Sequence, residues 1–153
     1  MSTKIHALAD QSCTPVVAAL TGGQAGDNPQ LLPLLGEIAV PARGRGGRPR
    51  GRPECVIADK AYSHRSTRIT LRNQRIRVVI PEKSDQVAHR KAKGSAGGRP
   101  PTFDANTYRD RNAVERAFNR LKSWRGIATR YDKHARNYRA GLVVASIVLF
   151  WLR

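Results

Sequence analysis

Tyr108, Arg111, Glu115 and Lys122 follow one another at the spacing Y-x2-R-x3-E-x6-K within one stretch of helical sequence. At about 100° of turn per residue, the four fall within an arc of about 60° and form a stripe along one helix face. Val114, Ala117, Phe118, Leu121 and Trp124 occupy the neighbouring arc, so the stripe is expected where the helix meets its core. A carboxylate there is anchored and still reachable. The blander reading is a surface ion pair, for which Arg111 before Glu115 at i,i+4 is the less favourable charge order. Upstream, Glu54 to Asp59 contains Cys-Val-Ile-Ala, a short buried strand that delivers Asp59 at its C-terminal end. Ligands of open α/β sheets gather at that edge, which suits a metal carboxylate. Asp59 reads equally as a cap for the turn of helix that follows it.

The elements that must hold these residues are legible from turn signals and apolar runs. Lys4 to Ala9 and Pro15 to Leu20 flank Asp10-Gln-Ser-Cys-Thr14 and predict a hairpin, with Asp10 on its turn and not beside Asp59. Thr21 to Pro29 is Gly-rich. It reads as a turn into a helix from Pro29 to about Ile38, capped by Asp27 or Asn28. A phosphate-cradling loop is the sharper reading of Gly22 to Gly26, but no Lys-Ser/Thr follows to close it. Ser63 or Ser66 starts a helix to about Asn73, and Ile76 to Ile80 is a second strand closed by Pro81. The stripe belongs to a helix from Tyr108 to about Arg125, and a last helix runs from Tyr138 to Leu152. Its apolar run from Gly141 to Leu152, broken only by Ser146, is too short to span a bilayer comfortably and predicts a buried helix.

At 153 residues, the chain is one domain's worth, and a hydrophobic content of 40% fits a globular protein. Lys and Arg total 28 against 11 Asp and Glu, for a formal charge of +17. Such a surplus calls for a polyanionic partner, with nucleic acid ahead of an anionic membrane because no basic amphipathic helix of the required kind stands out. Arg43, Arg45, Arg48, Arg50 and Arg52 lie among Gly and Pro in residues 41–53, a segment that cannot pack a core. It predicts a mobile arm on DNA phosphates, in competition with a merely solvated loop. Residues 82–103 read as a second basic loop, with Lys83, Arg90, Lys91, Lys93 and Arg99 placed to track phosphates. No apolar leader follows Met1, and Cys13 and Cys55 show no metal-ligand spacing, so a cytoplasmic location is expected.

The run from Tyr108 to Lys122, followed by Trp124 to Lys133, resembles the C-terminal signature of bacterial insertion-sequence transposases, in particular the insertion sequence five group. Thr3-Lys-Ile-His6, Leu20 to Asn28, Ala58-Asp-Lys-Ala-Tyr62 and Ile80-Pro-Glu-Lys83 extend the resemblance, in order, over almost the whole chain.

That resemblance implies an α/β fold, RNase H-like (retroviral-integrase-like), with a mixed sheet flanked by helices. It also implies a DDE site, in which two Asp and one Glu hold two divalent ions, Mg²⁺ or Mn²⁺. Asp59 matches the second Asp and Glu115 the Glu, so each is expected to be both catalytic and a metal ligand. Tyr108, Arg111 and Lys122 would contact DNA. The first Asp has no counterpart, and in relatives its strand precedes the segment resembling Thr3 to His6. Residues 1–153 are therefore expected to be a partial catalytic domain missing the first central strand, with Met1 internal to a longer protein. The implied partners are the terminal inverted repeats and target DNA, an N-terminal transposase portion and a second copy. The implied location is the bacterial nucleoid. A non-catalytic DNA-binding fragment that inhibits a full transposase is the rival reading, and a basic RNA-binding structural protein the third.

Overall fold

The computed structural model describes residues 2–41 and 47–152. Among the described residues the strands are β1 (Thr3–Ala9), β2 (Pro15–Gly22), β3 (Cys55–Ile57) and β4 (Arg77–Val79). The α-helices are α1 (Asn28–Gly36), α2 (Arg65–Asn73), α3 (Ser84–Ala92), α4 (Ala105–Tyr108), α5 (Asn112–Leu121), α6 (Arg125–Thr129) and α7 (Ala135–Ser146). They form two compact units: one joins the residues up to Arg52 to those from Asn112 onward, and the other is Pro53–Arg111. The architecture is α/β, with two small sheets, β1-β2 and β3-β4.

In the first unit, β1 and β2 form the expected antiparallel hairpin, in register from Thr3 opposite Gly22 to Leu8 opposite Val17. Asp10 turns the chain: its Oδ1 accepts from the Thr14 amide at 2.8 Å, while Cys13 takes the left-handed conformation, φ 64°. The core of this unit gathers Leu121 from the end of α5, Ile127 from α6, and Tyr138, Leu142 and Ala145 from α7. Ile5, Leu20, Trp124, Leu149 and Phe150 pack against it. Tyr138, Leu142 and Ala145 recur at i, i+4 and i+7, one ridge of a helix. The Tyr138 hydroxyl is buried with it and donates to the Ile127 carbonyl at 2.7 Å, fastening α6 to α7.

The last helix departs from its expectation in two ways. It begins at Ala135 and passes after Ser146 into a π-helical turn, Ile147–Trp151, closed by the Leu152 amide on the Ile147 carbonyl at 3.1 Å. It is also not buried all round. Val143, Val144, Ile147, Val148, Trp151 and Leu152 are exposed, while Tyr138, Leu142 and Ala145 reach the core and Leu149 and Phe150 pack against it.

The second unit is built on a β-α-β crossover. Parallel β3 and β4 pair Cys55 with Arg77, Val56 with Val78 and Ile57 with Val79, and α2 connects them. Val56, Ala58, Leu71, Ile76, Val79 and Ile80 are buried. Arg68 ties α2 to the exit of β4, donating to the carbonyls of Ile80 at 2.7 Å and Pro81 at 3.3 Å. Burial pulls its guanidinium below the ordinary arginine value, with Glu82 opposing that shift.

Residues 82–103, expected as a loop, contain α3 and a 3-10 turn, Gly94–Gly97. Local chemistry that the Gly and Lys content obscured accounts for the helix. The Gln86 side chain accepts from the Lys83 amide at 3.3 Å, Asp85 sits in the first turn, and His89, Arg90 and Lys91 occupy the last. Charges so placed complement the helix dipole.

Candidate active site

Asp59 emerges where sequence put it. The last rung between β3 and β4 is the Ala58 amide on the Val79 carbonyl at 3.3 Å, and Asp59 follows in extended backbone, exposed. Its Oδ1 accepts from the Ala61 amide at 2.7 Å, capping the 3-10 turn Lys60–Tyr62. The cap and the strand-edge carboxylate thus coexist, since a carboxylate has further lone pairs after one oxygen serves the turn.

The signature stretch is not one continuous helix. α4 gives way to a 3-10 turn, Arg109–Arg111, before α5 begins at Asn112. Asp104 starts α4, accepting from the amides of Asn106 and Thr107 at 3.0 and 3.1 Å and from the Thr107 hydroxyl. These bonds, the Thr107 hydroxyl foremost, hold its carboxyl below the usual aspartate value.

Tyr108 and Arg111 belong to the second unit and position each other. The Arg111 guanidinium lies 5.8 Å from the Tyr108 ring centre, and Phe103 meets the same ring at 5.2 Å, tilted by 58°. Both Tyr108 and Arg111 are half-buried.

Glu115 and Lys122 belong to the first unit. Glu115 is exposed in the first turn of α5, where the helix dipole favours negative charge. Lys122 directly follows α5, its amide still bonded to the Phe118 carbonyl at 2.9 Å, and is also exposed. Seven residues of helix separate the pair by about 10.5 Å along the axis and about 20° in azimuth. The buried ridge is Ala113, Ala117 and Leu121, with half-buried Val114 and Phe118 between it and the pair. Arg120, nearer the core, lies 4.4 Å from the Phe150 ring centre and braces the end of α5.

Of the arginine arm, Arg43 and Arg45 lie outside the described residues. Arg48, Arg50 and Arg52 are exposed. The segment is less free than its composition suggests: Arg50 and Val40 exchange backbone hydrogen bonds of 2.8 and 3.0 Å in an antiparallel bridge.

A second polar cluster went unrecognised in the sequence. Lys4 and His6, two residues apart on β1, project to one face of the hairpin. The Lys4 ammonium pairs with the Asp27 carboxylate at 3.0 Å and donates to the Ala25 carbonyl at 2.8 Å. Buried His6 meets the Thr21 hydroxyl through Nε2 at 2.7 Å, with Nδ1 3.8 Å from Asp27. Burial holds its pKa below 6.5, Asp27 opposing and Lys4 reinforcing. Asp27 stands at the N-cap of α1 but makes no side-chain cap bond there. The alternation of Lys4 and His6 was the available signal.

The two candidate ligands, Asp59 and Glu115, are oxygen donors of the kind hard divalent cations take. Among the described residues, no group of three or more His, Cys, Asp or Glu is arranged to hold a metal ion. The donor set therefore fits such an ion in kind and not in number. No described helix is long and apolar enough to cross a membrane.

The chain is 32% identical over 149 residues to a Burkholderia cepacia protein named as a transposase for insertion sequence element IS402, covering 97% of this chain and 63% of that one. It is 31% identical over 153 residues to a Brucella ovis protein named as a transposase for insertion sequence element IS6501, covering the whole of both. The chain thus spans about 63% of the length of the first relative. No solved structure matches it. Residues 1–150 match the family described as Transposase DDE domain, and the chain belongs to that family.

Proposed function

We propose that this chain is part of the RNase H-like catalytic domain of a DDE transposase, which cuts DNA at the terminal inverted repeats of an insertion sequence and joins those ends to target DNA. The observation that carries the reading is Asp59 at the C-terminal exit of a parallel strand, in a chain that belongs to this family. The exposure of Glu115 on α5 supports its role as the family's Glu. Two Mg²⁺ or Mn²⁺ ions, in a complete site, would stabilise the attacking and leaving oxygens of an in-line displacement at phosphorus. Asp59 and Glu115 would each hold one ion, with a third carboxylate supplied by an N-terminal transposase portion.

Lys122, about two turns beyond Glu115, would hold a phosphate beside the reacting one. Tyr108 and Arg111, already stacked, would present one cation in a fixed orientation to the DNA backbone. Arg43, Arg45, Arg48, Arg50 and Arg52 would neutralise phosphates further along. Holding two DNA ends together calls for a homodimer, and the work is done at the bacterial nucleoid.

The test combines the chain with the N-terminal portion and a duplex ending in the inverted repeat, with Mg²⁺ present. Cutting at the repeat end is expected, and Asp59→Asn and Glu115→Gln should each abolish it while DNA affinity persists. Cutting that survives either substitution refutes the assignment. DNA binding with no cutting in any combination would favour a non-catalytic fragment that inhibits a full transposase.

A further inference from the structure

From Lys60 to Pro81 the chain carries Lys60, Arg65, Arg68, Arg72, Arg75 and Arg77 and neither Asp nor Glu. Arg68 is committed to the carbonyls at the exit of β4. Arg65 and Arg72 are different: both are exposed on α2, seven residues apart, so about 20° separates them in azimuth and about 10.5 Å along the axis. They lie at least about 100° around the helix from Thr67 and Leu71, its buried residues. Neither makes an ion pair or side-chain hydrogen bond among the described residues.

The end of α2 adds an independent observation. The Ile76 amide bonds to the Leu71 carbonyl at 2.9 Å and the Arg75 amide to the Arg72 carbonyl at 2.8 Å, the paired closure that ends a helix on a left-handed residue. That residue is Arg75, φ 57°, where glycine is the ordinary occupant and a side chain strains the backbone. An exposed cation therefore stands where folding alone favours glycine. A strained residue of this kind points toward function.

We propose that Arg65, Arg72 and Arg75 form a ridge that binds the phosphate backbone of duplex DNA, a contact beyond the signature residues and the arginine arm. This rests on the transposase reading for its partner. The 10.5 Å from Arg65 to Arg72 spans about three phosphates of one strand at about 3.4 Å each. Guanidinium groups grip phosphate oxygens through paired donors, without reading bases. The ridge therefore holds any sequence equally, as a surface for target or flanking DNA requires.

The test uses the full chain, fluorescence anisotropy and a random-sequence DNA duplex, titrated between about 50 and 200 mM salt. The triple variant R65Q/R72Q/R75Q should lower the slope of log affinity against log salt by about 2.7, or about 0.9 per lost phosphate contact. R65K/R72K/R75K should restore most of that slope. R125Q/K133Q/R136Q, which removes the same charge elsewhere, should change the slope by less than about 1. R75G alone should raise the melting temperature by about 2 to 4 °C while lowering the slope by about 0.9, a pairing that a merely structural arginine would not give. An unchanged slope in the glutamine triple, equal losses in the two triples, or tighter binding of duplex RNA than of duplex DNA overturns the ridge and leaves the transposase reading intact. A wild-type chain that binds no duplex DNA overturns both.

Discussion

Asp59 has two separable jobs, and two substitutions should pull them apart. Its Oδ1 accepts from the Ala61 amide at 2.7 Å and so caps the turn after β3. Alanine leaves that amide without its partner, and replacing such a cap costs about 1 kcal/mol. For a chain of this size, that lowers the melting temperature by about 2 to 4 °C. Asparagine keeps an acceptor oxygen at the same place and caps nearly as well, so Asp59→Asn should melt within about 1 °C of wild type. A neutral amide supplies no anionic ligand, however, and both variants should lose DNA cutting by at least about 100-fold, the upper range for residues that merely support a metal ligand. Circular dichroism melts in EDTA read the first effect, and cleavage of an inverted-repeat duplex with Mg²⁺, in the presence of the N-terminal portion, reads the second. Asp59→Asn retaining wild-type cutting would refute the ligand role. Asp59→Asn melting as low as Asp59→Ala would refute the cap argument.

Three further outcomes follow from the same physical reasoning. Tyr138→Phe removes the buried hydroxyl that donates to the Ile127 carbonyl at 2.7 Å, and it should lower unfolding free energy by about 1 to 2 kcal/mol; a urea midpoint that does not move would contradict this. Leu142, 1% exposed in the same core, should cost about 2 to 5 kcal/mol as Leu142→Ala, with a cooperative melt lost or strongly lowered as the readout. Burial of His6 makes the folded state resist a proton that the unfolded chain accepts near pH 6.5. The unfolded state then binds more protons, so this contribution is complete above pH 6.5 and falls as pH drops toward the lower folded value. Melting temperature against pH should show that slope in wild type and a flatter one in His6→Gln; identical slopes would assign it to other groups.

Much of this molecule was legible because local signals agreed with its tertiary context. The hairpin announced itself through two short apolar segments around the Asp10 turn, and β3 through a short apolar run ending in Asp59. What failed did so for identifiable reasons. Helical periodicity from Tyr108 to Lys122 concealed the 3-10 turn at Arg109–Arg111, since both helix types satisfy i,i+3 spacing over so few residues. α3 was masked by its Gly and Lys neighbours, although Asp85 and Gln86 already marked its start. The apolar run after Gly141 signals burial by composition, but only part of a helix surface faces a core, and Val143, Val144, Ile147, Val148, Trp151 and Leu152 stay exposed.

The candidate site follows the same division. Residue types and spacing made Asp59 and Glu115 candidates beside blander readings, a cap and a surface ion pair, and it is the family resemblance that proposes their roles and that of Lys122. Types and spacing could not identify the α2 arginines, because a cation on a helix surface has no sequence signature apart from its many solvated counterparts. Arg75 becomes informative only once its backbone is known to be left-handed, at φ 57°. An arginine at a glycine position sets folding against another demand. In a chain with a formal charge of +17, a polyanion held at that spot would reward a cation at a backbone cost. Arg130, left-handed at φ 49° as the C-cap of α6, shows the contrast: its guanidinium lies 5.5 Å from the Tyr138 ring centre, so packing in its own core accounts for it. Arg75 has no such contact among the described residues, and that difference is what the salt titration measures.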